Sequence, residues 1–372
     1  MTEIVVIKNK TMQNAIILTG GSITNSDAKT AHGLIRTGRR FNIVGVIDKT
    51  SYGEDAGNLL ENKPRNIPVY SSVKEFIKNS SCNAEYAIVG IAVPGGILPA
   101  ELLGDIKESI EAGLSVVSGL HEYLSENPVL ADLAQKNNVR LLDIRKPRPK
   151  KELKFWTGEI VRVTAPIIAV LGTDCCVGKR TTAAMITDKM VSSGINAQMV
   201  FTGQTGWLQG YKYGFILDSA YNDFVSGELE NAVVRCYDET NPDIILLEGQ
   251  SSLGNPSGPC GAEFLLSARA KGVILQHSPA RRYYEGQEHL GMLISLEKEI
   301  ELIRVYGSEI IAITLNTNGL DLYQALEYKE KFEKEFNLPV VLPLIEGVDA
   351  LIKAIDKYVA DYRLKENSVM LK

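Results

Sequence analysis

The sequence predicts an α/β protein in which a Rossmann-like N-terminal domain is followed by a P-loop NTPase-like α/β C-terminal domain. Three observations carry this. Short, continuous apolar runs alternate with helical stretches, as a parallel sheet buried on both faces requires. The alternation starts afresh after a basic, proline-punctuated stretch near residue 150. The second half then opens on a strand, a glycine loop, a lysine and a helix, in that order.

In the first half, Ala15-Ile16-Ile17-Leu18 reads as a buried strand ending in Thr19-Gly20-Gly21. A helix is predicted from about Ala28 to Ile35, then a strand over Ile43-Val44-Gly45-Val46-Ile47 ending in Asp48. Tyr86-Ala87-Ile88-Val89-Gly90-Ile91 is the next strand, closed by Pro94-Gly95-Gly96. A helix over 102–112, a strand at Leu114-Ser115-Val116-Val117-Ser118 and another over 139–144 complete the set. Thr19-Gly20-Gly21-Ser22 occupies the dinucleotide-loop position and Asp48 the place of a ribose-binding acid, but the full GxGxxG fingerprint is missing. Lys29, His32 and Arg36 share a helical face. Arg145-Lys146-Pro147-Arg148-Pro149-Lys150-Lys151 reads as a solvated linker, with an anion site as the alternative. It divides the chain into domains at 1–150 and 151–372.

In the second half, strands are predicted at 167–171, 197–202, 244–247, 272–276, 310–315 and 339–342, with helices between, the first from Lys179 to about Ser193. There is no internal repeat and no low-complexity segment. At 372 residues, 45% hydrophobic and 23% charged, the chain can bury two cores. A net charge of -5 and the lack of a basic tract exclude a general attraction to nucleic acid or anionic membrane. No run reaches the roughly 20 apolar residues of a membrane span. Five cysteines, an odd count without framework spacing, and four scattered histidines offer neither a disulfide framework nor a metal site. A soluble, cytoplasmic protein is expected.

The segment Gly172-Thr173-Asp174-Cys175-Cys176-Val177-Gly178-Lys179-Arg180-Thr181-Thr182 lies between strand and helix. Loop glycines let amide N–H groups converge on a phosphate, the helix N-terminus adds positive potential, and Lys179 meets the anion as a point charge. Two departures from the usual pattern matter. Five residues separate Gly172 from Gly178 rather than four, a variant that resembles dethiobiotin synthetase. Arg180 stands where a serine or threonine ordinarily holds magnesium, leaving Thr181 or Thr182 as substitutes. Cys175 and Cys176, at a helix N-terminus, are either loop-shaping residues or nucleophiles.

Downstream, Asp243-Ile244-Ile245-Leu246-Leu247-Glu248-Gly249-Gln250 is a Walker-B-like strand ending in an acid that links to phosphate through metal or water, or serves as a base. The polar, glycine-rich stretch from Gln250 to Gly261 reads as a binding loop. After another strand end, Arg281 and Arg282 are candidates to clamp a substrate carboxylate, and His277 to take a proton. Asn316-Thr317-Asn318-Gly319 and Gly203-Gln204-Thr205-Gly206 follow further strand ends and are candidates for a base-reading loop and a cleft lip.

Several stretches, in order across both halves, resemble the D-glutamate N-acetyltransferase-like proteins. They are Asp27-Ala28-Lys29-Thr30-Ala31-His32-Gly33-Leu34-Ile35-Arg36, Gly90-Ile91-Ala92-Val93-Pro94-Gly95-Gly96 and Val116-Val117-Ser118-Gly119-Leu120-His121 in the first half. In the second they are the 172–182 loop, Glu248-Gly249-Gln250 and Leu315-Asn316-Thr317. The resemblance implies transfer of acetyl from acetyl-CoA to the amine of an acidic D-amino acid such as D-glutamate. On that reading the 172–182 loop holds the cofactor, Glu248 or His277 is the general base, and Arg281, Arg282 and Gln250 contact substrate. A small-molecule amino-acid substrate, no nucleic-acid or membrane partner, no metal and a homo-oligomer are expected. The alternatives are an ATP-dependent, magnesium-using ligase or kinase resembling dethiobiotin synthetase, and a non-catalytic nucleotide-binding module.

Overall fold

The computed structural model describes residues 12–370 apart from Val93, so the family stretch at 90–96 lies partly outside the described residues. The chain packs as two units. One takes the chain up to Glu152 together with Gln204–Tyr211; the other takes Leu153–Gly203 and everything from Lys212 on.

The first unit is Rossmann-like. Its six strands are β1 (Gln13–Leu18), β2 (Phe41–Ile47), β3 (Val69–Tyr70), β4 (Tyr86–Val89), β5 (Ser115–Ser118) and β6 (Leu141–Asp143). They pair in parallel in the order β3-β2-β1-β4-β5-β6. Ile16, Ile17, Leu18, Ala87 and Ile88 are buried at its centre, which is why these strands read as unbroken apolar runs. The short helix Gln204–Gln209 belongs to this unit because Leu208 is fully buried in the same core. Gln209 Nε2 donates to the carbonyls of Gly33 and Thr37, and the Arg40 guanidinium lies 4.1 Å over the Trp207 ring. The sequence offers 203–206 as a cleft lip or an ordinary glycine turn; burial of Leu208 fixes Gln204–Gln209 as a packed helix. The first residue of the basic linker is also buried: Arg145 bonds to His121 Nε2 at 2.6 Å and to Gln204 Oε1 at 2.8 Å.

The second unit has the P-loop NTPase-like α/β fold. Its strands are β7 (Ile167–Gly172), β8 (Ala197–Phe201), β9 (Tyr213–Gly214), β10 (Ile244–Glu248), β11 (Gly272–His277), β12 (Glu309–Leu315) and β13 (Val340–Val341). All are parallel, in the order β13-β12-β11-β7-β10-β8-β9. β7 is buried along its whole length, with β11 on one side and β10 on the other. The chain runs outward from β7 in both directions, which leaves a crevice beyond its carboxyl end, where open α/β sheets bind ligands. The helix Lys179–Ser192 starts there. Helices farther out are fixed by their own caps; Leu322–Phe336, for example, begins with an Asp321–Gln324 capping box. The two-residue strands β3 and β9 have no counterpart in the sequence reading.

Candidate functional site

The site is built on the turn that leaves β7. A Cβ at Gly172 would stand 2.8 Å from Val177 Cγ2 and 3.0 Å from the Lys179 side chain, so only glycine lets the loop fold back over its own start. Gly178, at φ +112°, makes the left-handed step into the helix Lys179–Ser192. Lys179 is 6% exposed. Its ammonium donates to the carbonyls of Asp174 at 2.5 Å and Ser251 at 2.8 Å, and among the described residues no carboxylate pairs with it. Burial lowers its pKa, opposed by Cys175, Cys176 and Asp174. A buried cation satisfied by two neutral oxygens has its hydrogen bonds but not its counter-charge. An anion arriving at the loop would supply it.

The Asp174 carboxylate is turned away from that role. It is fully buried and accepts from the Cys175 amide, Asn255 Nδ2, Arg281 Nη1 at 2.7 Å and the Glu285 amide at 2.7 Å. Asp174 thus staples the phosphate loop to the 281–285 turn and to the glycine-rich loop. Arg281, expected from the sequence to clamp a substrate carboxylate, is engaged in this staple and also donates to the Cys175 carbonyl. Arg282 is exposed nearby. Burial raises the Cys175 thiol pKa against the pull of Lys179, which disfavours a thiolate nucleophile there.

The hydroxyls beside Arg180 separate on geometry. Thr182 is buried and donates to Gln276 Oε1 at 2.6 Å, so that hydroxyl is committed to the sheet; Thr181 is half-buried. Gln276 Oε1 also accepts from Thr314, and the Gln276 carbonyl accepts from the Thr173 amide. This glutamine, to which the sequence assigns no role, fastens both ends of the loop to β11 and β12. Among the described residues no cluster of His, Cys, Asp or Glu could hold a metal ion.

Glu248 ends β10 and is 3% exposed. Its Oε2 accepts from the amides of Thr202 at 2.9 Å and Gly203 at 3.3 Å. Burial raises its pKa, while Arg180, those two amides and Lys179 pull it down. Gln250 Nε2 donates to Thr202 Oγ1 at 3.0 Å, and a Cβ on Gly203 would crowd the Gln250 amide at 3.1 Å. Glu248, Gln250, Thr202, Lys179 and Arg180 therefore share one polar neighbourhood.

His277 ends β11 on the opposite side of β7. Its Nδ1 lies 2.9 Å from Thr173 Oγ1 and its ring meets Phe332 edge-on. Burial lowers its pKa to about 4, so at neutral pH it is an uncharged imidazole. Asn316 Nδ2 is used on the Val177 carbonyl at 2.9 Å, bracing the loop from β12. In the first unit, Asp48 is saturated by Thr19, Thr50 and the amides of Ile23, Thr50 and Ser51. It shapes its own loop, and these bonds occupy the oxygens a ribose would need.

Comparison with known proteins agrees with the two-domain fold. Residues 154–352 match the model of a domain of unknown function, DUF1611, described as its C-terminal P-loop domain. Residues 49–147 match the corresponding N-terminal Rossmann-like domain. The chain is 32% identical over 276 residues to a D-glutamate N-acetyltransferase of Pseudoalteromonas sp., covering 72% of this chain and 80% of that protein. It is 29% identical over 282 residues to a protein of the same name from Tritonibacter scottomollicae, covering 74% and 82%. The crystal structure of a DUF1611 family protein from Anabaena variabilis superposes with a TM-score of 0.83 at 27% identity, covering 93% of this chain and 99% of that one.

Proposed function

The chain belongs to the DUF1611 family, and we propose that it is an N-acyltransferase moving acetyl from acetyl-CoA to the amine of an acidic D-amino acid such as D-glutamate. The observation that carries this reading is the buried Lys179 ammonium, which has carbonyl partners and no carboxylate among the described residues. A diphosphate fits it: loop amides and the helix start supply donors, and Lys179 and Arg180 supply charge. The name shared by the two acetyltransferase relatives supports the choice of acyl donor and acceptor.

Bound acetyl-CoA supplies an activated acyl thioester; the chain's own residues do the rest. The attacking amine must first lose a proton, and on this reading Glu248 takes it. A carboxylate whose pKa is raised by burial is a stronger base than one in water, and the Thr202 and Gly203 amides hold it in place. The ammonium gives one proton to Glu248, which passes it to solvent; the C–N bond then forms as the C–S bond breaks, and the second nitrogen proton goes to the departing thiolate, which leaves as the free thiol. Gln250 is held by Thr202 in the same polar neighbourhood, where on this reading it contacts substrate. Neutral His277 sits on the other flank of the loop, where it supports Thr173.

A second reading, ATP-dependent ligation or phosphorylation with magnesium, is favoured by one observation: an acid at the end of the strand beside the phosphate loop, as in P-loop enzymes generally. Against it stand Arg180 at the magnesium-hydroxyl position and the commitment of Thr182 to Gln276. Incubation with acetyl-CoA and D-glutamate in EDTA separates the two. Acyl transfer gives free CoA and an N-acetyl product. Absence of both across a panel of D- and L-amino acids, with magnesium-dependent ADP release from ATP, selects the second.

A further inference from the structure

On the side of the loop away from Glu248, a cavity of about 330 Å³ opens beside His277 and Arg281. Both residues touch the phosphate loop, His277 through Thr173 and Arg281 through Asp174 and the Cys175 carbonyl. The cavity is therefore one side chain away from the proposed diphosphate. Its walls include Ile294, Leu296 and Phe332, the last two buried. Arg282 and Lys331 line it as well; both are exposed, and neither has an ion-pair partner within 4.0 Å among the described residues. Their recorded contacts are with the rings of Tyr283 and Phe332. Two carboxylates, Glu297 and Glu335, also line the cavity without pairing to these cations.

We infer that this cavity receives the adenosine end of the CoA carrier, with Arg282 and Lys331 reading its 3′-phosphate. The inference rests on the acyl-transfer reading and adds the part of the cofactor that distinguishes it from ATP. In CoA the adenosine is bonded directly to the diphosphate, whereas the thioester lies at the far end of the pantetheine arm. A cavity adjoining the diphosphate loop is in reach of the former. The acyl chemistry then falls on the Glu248 flank, where the base sits. Apolar walls suit the faces of a purine, and Glu297 and Glu335 can accept from its exocyclic amine. Two cations answer a phosphate dianion; ADP and ATP carry no phosphate at that position.

Calorimetric titration of the full chain with CoA, 3′-dephospho-CoA and ADP, all in EDTA, tests this. CoA is expected to bind at least about tenfold more tightly than 3′-dephospho-CoA, the loss of charge-assisted phosphate contacts. In the R282Q/K331Q double variant that preference is expected to fall to within about twofold, with the affinity for 3′-dephospho-CoA unchanged, a pattern that general damage to the fold would not give. Equal affinities of the wild-type protein for the two carriers, with acetyl transfer intact, would overturn the inference alone. If CoA does not bind at all, the inference and the acyl-transfer reading fall together. The wild-type comparison is decisive even if the variant does not fold.

Discussion

Three titratable side chains stand around the phosphate loop, and each is shaped by burial. Lys179 is a cation held by carbonyls, Glu248 a carboxyl held by amides, and His277 an imidazole kept neutral. If Glu248 is the base, Glu248→Gln keeps the shape and its bonds to Thr202 and Gly203 but cannot take a proton. Its kcat is expected to fall by about 10²- to 10⁴-fold with KM for acetyl-CoA little changed, measured by thiol release. His277, titrating at about 4, stays uncharged across the neutral range, so His277→Gln is expected to leave the pH–rate profile above pH 6 in place. A lost limb in that variant would transfer the base role to His277. The phosphate loop was legible at this scale because glycine spacing and a following lysine encode a backbone shape. The Asp174 staple was not: Arg281 and Glu285 lie 107 and 111 residues farther along the chain, and nothing local marks them as partners.

At the scale of elements, the loop after β10 matters most, because Ser251 holds Lys179 and its neighbours are clamped from below. Glu299, in the helix Leu296–Val305, is 1% exposed; its Oε1 accepts from the Leu253 amide at 2.9 Å and its Oε2 has no partner among the described residues. Burial raises its pKa from 4.5 to about 7, opposed by the Leu253 amide, Lys179 and the Gly254 amide. A carboxyl with a raised folded-state pKa contributes most below its unfolded value. That contribution is lost as pH climbs from about 4.5 through about 7. Glu299→Gln is therefore expected to gain stability relative to wild type across this window, by at most about 3 kcal/mol, and to level off above it. Urea melts at pH 5, 6, 7 and 8 give the comparison; parallel stability curves would remove the assignment. The strands that bracket these loops were readable as apolar runs, since both faces of a parallel sheet are covered. The helix Gln204–Gln209 was not, since Gly203-Gln204-Thr205-Gly206 carries turn chemistry and only tertiary burial of Leu208 decides otherwise.

At the scale of the molecule, two parallel sheets with separate cores make two units, yet the chain crosses between them more than once. Gln204–Tyr211 returns to the first unit after β8, so a single boundary near residue 150 describes the sequence better than the packing. Leu208→Ala is expected to destabilise the first unit by about 2–5 kcal/mol, seen as a lower urea midpoint for that unit. A loss under 1 kcal/mol would mean that this helix is only loosely seated. The proposed function rests on a narrower point, that Lys179, buried beyond the carboxyl end of β7 among carbonyl oxygens, meets the anionic cofactor. Binding of acetyl-CoA to wild type and to Lys179→Met in EDTA tests that most directly. Saturable binding by the wild type, weakened by about tenfold to a hundredfold in a variant with an unchanged circular dichroism spectrum, is the expected result. Equal binding by both proteins, or none by the wild type, would contradict it.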